Sequence, residues 1–115
     1  MKKFAITAAL LLSVVGAHAA DIVGNPIAAR DKVAMCIGCH GIPGYRTAYP
    51  EVYHVPMLGG QNAQYIENAL KEYKTRQRKF QTMHAVAASL SDQDIADIAT
   101  YYAEQTSASK PNPVK

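Results

Sequence analysis

The stretch MCIGCHG, residues 35–41, constrains this 115-residue chain more than any other, because it holds the only two cysteines. Cys36 and Cys39 are separated by two residues, and His40 follows directly. A redox dithiol, half of a metal site, a pair of free core thiols and a covalent attachment point can all use such a pair. The rest of the sequence has to decide between these four interpretations.

Three of the interpretations fit poorly. A thioredoxin-like dithiol belongs in a βαβ unit, and no segment of this chain has a convincing strand pattern. A structural zinc site needs four ligands. Cys36, Cys39 and two of His40, His54 and His84 could supply them, but adjacent Cys and His are poorly placed for one tetrahedron. Free buried cysteines would leave the adjoining histidine unexplained.

Covalent haem attachment accounts for all three residues, since C-x-x-C-H is the attachment motif of c-type haem. Two thiols one helical turn apart can reach the two vinyl groups and become thioethers. The next residue then lies under the centre of the ring, so His40 can coordinate the iron. The motif occurs once, which predicts one haem c per chain.

The N-terminus has the three-part layout of a secretory signal peptide. Lys2 and Lys3 precede an apolar run over 4–15, and the small residues of AHA follow at 17–19. The run is too short to span a bilayer. We expect residues 1–19 to be a signal peptide cleaved after Ala19, with Ala20 as the alternative, and a soluble protein exported to the periplasm, where haem can be attached.

Removal of the signal also changes the charge balance. The chain has 12 basic and 9 acidic residues, and two of the basic residues leave with the signal, so the mature charge is +1. This balance gives no reason to expect nucleic acid as a partner. The basic stretch KEYKTRQRK, residues 71–79, is either a solvated helix end or a surface that helps a partner to dock.

The mature chain is predicted to be all-α, with about four short helices. The first begins at Asn25–Pro26 and runs into Cys36, with Ile27, Ala28, Val33 and Met35 on its apolar side. The second follows Asn62, and its apolar face is Tyr65, Ile66, Ala69, Leu70 and Tyr73. A short third carries Met83, Val86, Ala87 and Leu90. The fourth is capped by Ser91 with Asp94 and buries Ile95, Ile98, Ala99 and Tyr102.

Between the first two helices, residues 41–60 show no helical period and are rich in glycine, proline and tyrosine. A loop of this length in a compact domain is usually functional or disordered. Its tyrosines at 45, 49 and 53 need an apolar surface to lie on, and a haem would provide one.

Three segments make the chain resemble a class I c-type cytochrome of the small bacterial exported kind with one haem. They are CIGCH, then PMLGGQ from Pro56, then MHAVAASLSDQDIADIATYYA from Met83. The resemblance implies the class I cytochrome c fold, with four short helices around one covalently attached haem. We therefore expect a haem domain over 20–105 and a flexible tail over 106–115.

The resemblance also implies the remaining site residues. Pro56, with Pro50 as the alternative, would offer its carbonyl oxygen to the second nitrogen of His40, and Met83 would be the distal iron ligand. The other candidates for the distal position are Met35, Met57, His54 and His84. Met35 is too near the attachment motif, Met57 adjoins the loop that supports His40, and both histidines are expected to be exposed.

A closed His/Met iron site predicts a soluble one-electron carrier in periplasmic electron transport rather than an enzyme. Its partners would be a redox donor and a redox acceptor, with peripheral docking to membrane redox complexes as one option. The alternatives are a cytochrome subunit of a larger dehydrogenase or oxidase, and a haem enzyme or gas-binding protein with an open iron site.

Overall fold

The computed structural model describes residues 21–109 as four α-helices and one small hairpin. The helices are α1 (Ala34–His40), α2 (Ala63–Lys74), α3 (Gln81–Ala88) and α4 (Asp92–Ala103). This confirms the predicted all-α class and the number of helices. The predicted signal peptide and residues 110–115 of the predicted tail lie outside the described residues. In the described part of the chain, no helix is long and apolar enough to cross a membrane.

The core is formed mainly by α2 and α4, and α2 also packs on α3. The predicted apolar stripes are the buried faces of these helices. Ile66 and Leu70 of α2 meet a longer stripe on α4 that contains Ile95, Ile98, Ala99, Tyr101 and Tyr102. Tyr65 departs from the predicted α2 face, because half of its surface is exposed.

Two of the three helix starts that were predicted from polar caps, those after Asn62 and Ser91, are confirmed. The side chain of Asn62 accepts a hydrogen bond from the backbone N–H of Tyr65, at 3.0 Å. At α4, Ser91 and Asp94 form a reciprocal capping box. Leu90, just before that cap, is buried in the same cluster as Ile95, as expected for a hydrophobic staple.

The first helix differs from its prediction. Asn25 caps as expected, accepting from the N–H groups of Ile27 and Ala28, but residues 26–33 form turns that mix i+3 and i+4 hydrogen bonds. Regular helix begins only at Ala34. The buried side is therefore Ala29, Val33 and Ile37. The predicted apolar residues Ile27, Ala28 and Met35 are exposed.

A cluster of polar contacts fastens the N-terminal segment to α4. Asp97, only 2% exposed, accepts hydrogen bonds from the Asn25 N–H, from Lys32 Nζ and from Gln93 Nε2, each at 2.8 Å. Lys32 also pairs with Asp94 at 2.6 Å. At Gly24 the two backbones nearly touch, since a Cβ there would lie 2.3 Å from the carbonyl oxygen of Ala96. The segment therefore closes one side of the core.

The tyrosine-rich loop contains structure that the sequence did not predict. Arg46–Thr47 (β1) and Tyr53–His54 (β2) pair antiparallel, which corrects the expectation of no strands. Val55 is buried beside them, whereas Tyr49 at the tip is 87% exposed. Two-residue strands are too short to show the alternation that marks a strand in a sequence.

The cluster around Asp97 gives a pH dependence of stability. Burial alone would raise the pKa of Asp97, but Lys32, the Asn25 N–H and Gln93 together lower it. Hydrogen bonds from Lys32 and Ser91 lower the pKa of Asp94. A lowered pKa in the folded state gives stability that is present above the ordinary value of 3.8 and is lost as the pH falls through and below it.

We therefore expect Asp97→Asn to reduce the free energy of unfolding by about 2 kcal/mol at pH 7, and by progressively less as the pH approaches 3. Denaturant unfolding of the haem-loaded protein from pH 7 to 3 measures both effects. Asp31→Asn, at an exposed position, is the matched control. A gap between wild type and Asp97→Asn that stays constant with pH would contradict this account.

Candidate haem site

The three residues of the attachment motif lie on one side of α1. Cys36, Cys39 and His40 occupy positions i, i+3 and i+4, which are neighbours on a helix surface. All three are half-buried, whereas Ile37 points into the core and is 7% exposed. The short helix thus presents two thiols and one imidazole together while Ile37 anchors it.

The imidazole of His40 is held by the loop that follows. Its Nδ1 lies 2.7 Å from the carbonyl oxygen of Pro56. A carbonyl oxygen can only accept, so Nδ1 carries the proton and Nε2 keeps its lone pair. This is the arrangement that orients histidines which bind metals. The structure thus places His40 and Pro56 within hydrogen-bond distance, as the resemblance to the family implies.

The two cysteines are free thiols. Burial, and to a smaller extent Cys39, raises the pKa of Cys36 to about 11. Among residues 21–109 no three His, Cys, Asp or Glu side chains gather as a metal cluster. A structural zinc site needs four such ligands, so the arrangement favours covalent attachment over the zinc alternative.

The candidates for the distal ligand differ in their surroundings. Met83, in the first turn of α3, is half-buried and packs against the same buried cluster as Cys36. Met35 and Met57 are 53% and 48% exposed. His54 is exposed on β2.

His84 differs from its prediction, because it is half-buried rather than exposed. Its Nδ1 lies 2.8 Å from the carbonyl oxygen of Tyr73. The side chain lines a cleft with Arg76 and Lys79, whereas the neighbouring Met83 packs on the core.

A cavity of about 410 Å³ adjoins His40 and extends to Met57 and the end of α4. Tyr102 lines it, and its hydroxyl oxygen is the one buried side-chain oxygen or nitrogen in the described residues without a hydrogen-bond partner. Burial, followed by the nearby Cys36 and Tyr101, raises the pKa of this hydroxyl. A buried tyrosine hydroxyl usually has a partner, so this site lacks a polar group that a bound cofactor could supply.

The residues present therefore fit a covalently attached haem. Two free thiols and an oriented imidazole lie on one helix face, and a buried hydroxyl without a partner lies near Cys36. The sequence identified all of these residues except the Tyr102 hydroxyl. The helical period predicts that Tyr102 is buried in the stripe of α4. It does not predict which groups lie near the hydroxyl of Tyr102.

Comparison with known proteins gives a consistent picture. The family model described as cytochrome c matches residues 31–105. Cytochrome c-554(548) of Halomonas halodenitrificans is 44% identical over 85 residues, which are 71% of this chain and 98% of the relative. Cytochrome c4 of Pseudomonas aeruginosa is 37% identical over 106 residues, which are 91% of this chain and 49% of the relative.

A solved structure agrees with these matches. The crystal structure of reduced recombinant cytochrome c4 from Pseudomonas stutzeri is similar with a TM-score of 0.59 and 33% identity, over 73% of this chain and 47% of that one. The chain thus spans about half the length of these cytochromes c4, but nearly all of the Halomonas protein.

The unpartnered hydroxyl leads to a test of the fit. If the bound haem supplies its partner, Tyr102→Phe should lower the free energy of unfolding of the haem-loaded protein by about 1 kcal/mol. Denaturant unfolding measures this, with Tyr49→Phe, at an 87% exposed residue, as the control expected to be neutral. A Tyr102→Phe protein that equals or exceeds wild type in stability would show that the hydroxyl has no partner in the loaded state.

Proposed function

The chain belongs to the cytochrome c family and is an electron-transfer protein with covalently bound haem c, and we propose that it is a one-electron carrier of the periplasm with His40 and Met83 as the axial ligands. When bound, the haem supplies one-electron transfer: its iron accepts an electron as Fe(III) and donates it as Fe(II). The observation that carries the proposal is the His40 imidazole, which is fixed through Nδ1 to Pro56 one helical turn after Cys36.

Attachment through Cys36 and Cys39 is supported by their spacing and by their free, half-buried thiols. Both sulfurs lie on the face of α1 that carries the ring of His40, so one group bonded to both would also meet the imidazole. The Pro56 carbonyl keeps Nδ1 protonated and leaves Nε2 to the iron. Because this acceptor belongs to the backbone, the ring orientation depends on the path of the 41–56 loop.

Met83 is proposed as the distal ligand because of its burial. It borders the same apolar cluster as Cys36, and the two other methionines in the described chain are about half exposed. A thioether favours Fe(II) and raises the reduction potential. If His40 and Met83 both hold the iron, the group would supply electron transfer and leave no open position for a substrate, which would separate a carrier from a haem enzyme.

The periplasmic location is proposed from the basic, apolar and small-residue pattern of residues 1–19. The mature protein would then comprise the haem domain, residues 20–105, and a short tail, residues 106–115. Its donor and acceptor would be other redox proteins.

The attachment can be tested by the intact mass of the purified protein and by haem staining after denaturing electrophoresis. We expect the mass of residues 20–115 plus one haem, and a stained band that acid-acetone does not remove. Replacement of both Cys36 and Cys39 by alanine should abolish the stain. A double variant that keeps its acid-resistant stain would exclude these residues as the attachment points.

For the distal ligand, Met83→Ala should lose the weak absorption band that a ligating thioether gives oxidised protein near the red end of the visible spectrum. Its reduction potential should fall by on the order of 0.1 V, within the ~0.8 V span that axial ligands control. It should also gain affinity for added imidazole. Met35→Ala, at a methionine that is 53% exposed and lines neither cavity, is the control and should retain all three properties.

An unchanged spectrum and potential in Met83→Ala would reject Met83 as a ligand. If the thioether band survives in that variant, another methionine is the ligand. If wild type lacks the band and binds imidazole as tightly as the variant does, the open-site alternative, a haem enzyme or gas-binding protein, is favoured.

A further inference from the structure

A second cavity lies away from the attachment helix, where α2 ends and α3 begins. It is a cleft of about 260 Å³ lined by Arg76, Arg78, Lys79, Phe80, Gln81 and His84. No carboxylate is among its lining residues. The cleft adjoins the proposed ligand, since His84 follows Met83 directly in α3.

The cations of this cleft are of two kinds. Arg78 is held in place, because it is paired with Glu72 and its guanidinium lies 5.6 Å and 5.7 Å from the ring centroids of Tyr65 and Tyr73. Arg76 and Lys79 are exposed and form no ion pair within residues 21–109. The cleft thus offers two uncompensated positive charges beside one that is already neutralised.

The backbone at Arg76 is unusual. Its φ is 63°, in the left-handed region, and it is the only non-glycine residue in the described chain with a positive φ. It occupies the position after the α2 cap, where Arg76 N–H bonds to Tyr73 O and Gln77 N–H bonds to Glu72 O. Glycine is strongly preferred there, because a Cβ is unfavourable in this conformation.

A charged side chain at a glycine position makes the local fold less stable than it could be. Residues in such conformations tend to occur at binding sites, where the side chain has a use that the backbone preference opposes. Arg76 places an unpaired positive charge at the cleft. The use that fits such a charge is recognition of an anion.

The surroundings of the cleft indicate what kind of anion binds. Phe80 lines it and packs its ring on Tyr53 of β2, with centroids 4.8 Å apart. The hairpin then continues to Tyr49 and Val52, which are 87% and 72% exposed. Arginine and aromatic residues together are typical of the centres of protein interfaces, and Phe80 with its contact to Tyr53 gives the cleft this combination.

We propose that the cleft binds a carboxylate side chain of an acidic redox partner, and that Arg76 is the residue that recognises it. The partner surface would cover Phe80 and Tyr53 while its carboxylate meets Arg76 and Lys79. This inference rests on the proposed function, because it places the partner next to the helix that carries Met83.

The probe for the test is a hexaglutamate peptide, titrated into the isotope-labelled, haem-loaded mature protein in the reduced state and followed by NMR chemical shifts. The shifts should concentrate in residues 76–84 and at Tyr53. Arg76→Gly and Arg76→Asn, which both tolerate the left-handed conformation, should raise the Kd roughly fivefold, as expected for loss of one close charge pair.

Two controls make the result specific. Arg30→Gln changes the net charge equally at an exposed position of the N-terminal segment and should leave the Kd unchanged. Arg76→Gly should unfold at the same or a higher denaturant concentration than wild type, so a weaker Kd cannot be ascribed to misfolding.

The proposal is overturned if Arg30→Gln weakens binding as much as the Arg76 variants do, because net charge would then explain the effect. It is also overturned if the peptide does not bind, if its shifts lie elsewhere, or if sulfate produces the same shifts with equal affinity. The titration uses no electron transfer, so it is independent of whether Met83 is the ligand. If the Arg76 variants keep the red-end absorption band of the oxidised protein, the iron ligand is unchanged. A weaker Kd then reports on the cleft and not on Met83.

Discussion

The hydrogen bond from His40 Nδ1 to the carbonyl oxygen of Pro56 joins the two parts on which the site depends. It connects the end of α1 to the end of a long loop, and it sets the tautomer of the imidazole. The loop must therefore return to α1 after 16 residues, which fixes where the hairpin and the following α2 can lie. Ile37 anchors the seven-residue helix in the core, and this bond fixes the orientation of the imidazole from the loop side.

The local parts of this architecture could be predicted from the sequence. The caps at Asn62 and Ser91 and the stripes of α2 and α4 follow from contacts within three or four residues, and the structure agrees with them. The attachment motif is equally local. Its three residues lie within five positions, so their meeting on one helix face needed no knowledge of the fold.

The features that the sequence did not predict depend on distant partners or on backbone geometry. Asp97 lies within an apolar stripe, and its contacts with Asn25 and Lys32, 72 and 65 residues away, contribute to its burial in a way that the local sequence does not reveal. The left-handed residue at the end of α2 is an arginine, so the usual glycine signal is missing. The N-terminal turns mix two hydrogen-bond spacings, which a single helical period cannot represent.

The contact between Gly24 and α4 has a consequence for the order of events during biosynthesis. It joins residues that are about 72 positions apart, so it can form only after α4 has been synthesised. Closing a loop of this length costs chain entropy, which the contacts of Asp97 and the packing at Gly24 must offset. Cys36 and Cys39 lie inside this loop and are synthesised before α4. The core beside the two thiols is therefore complete only when both ends of the 24–97 stretch are present.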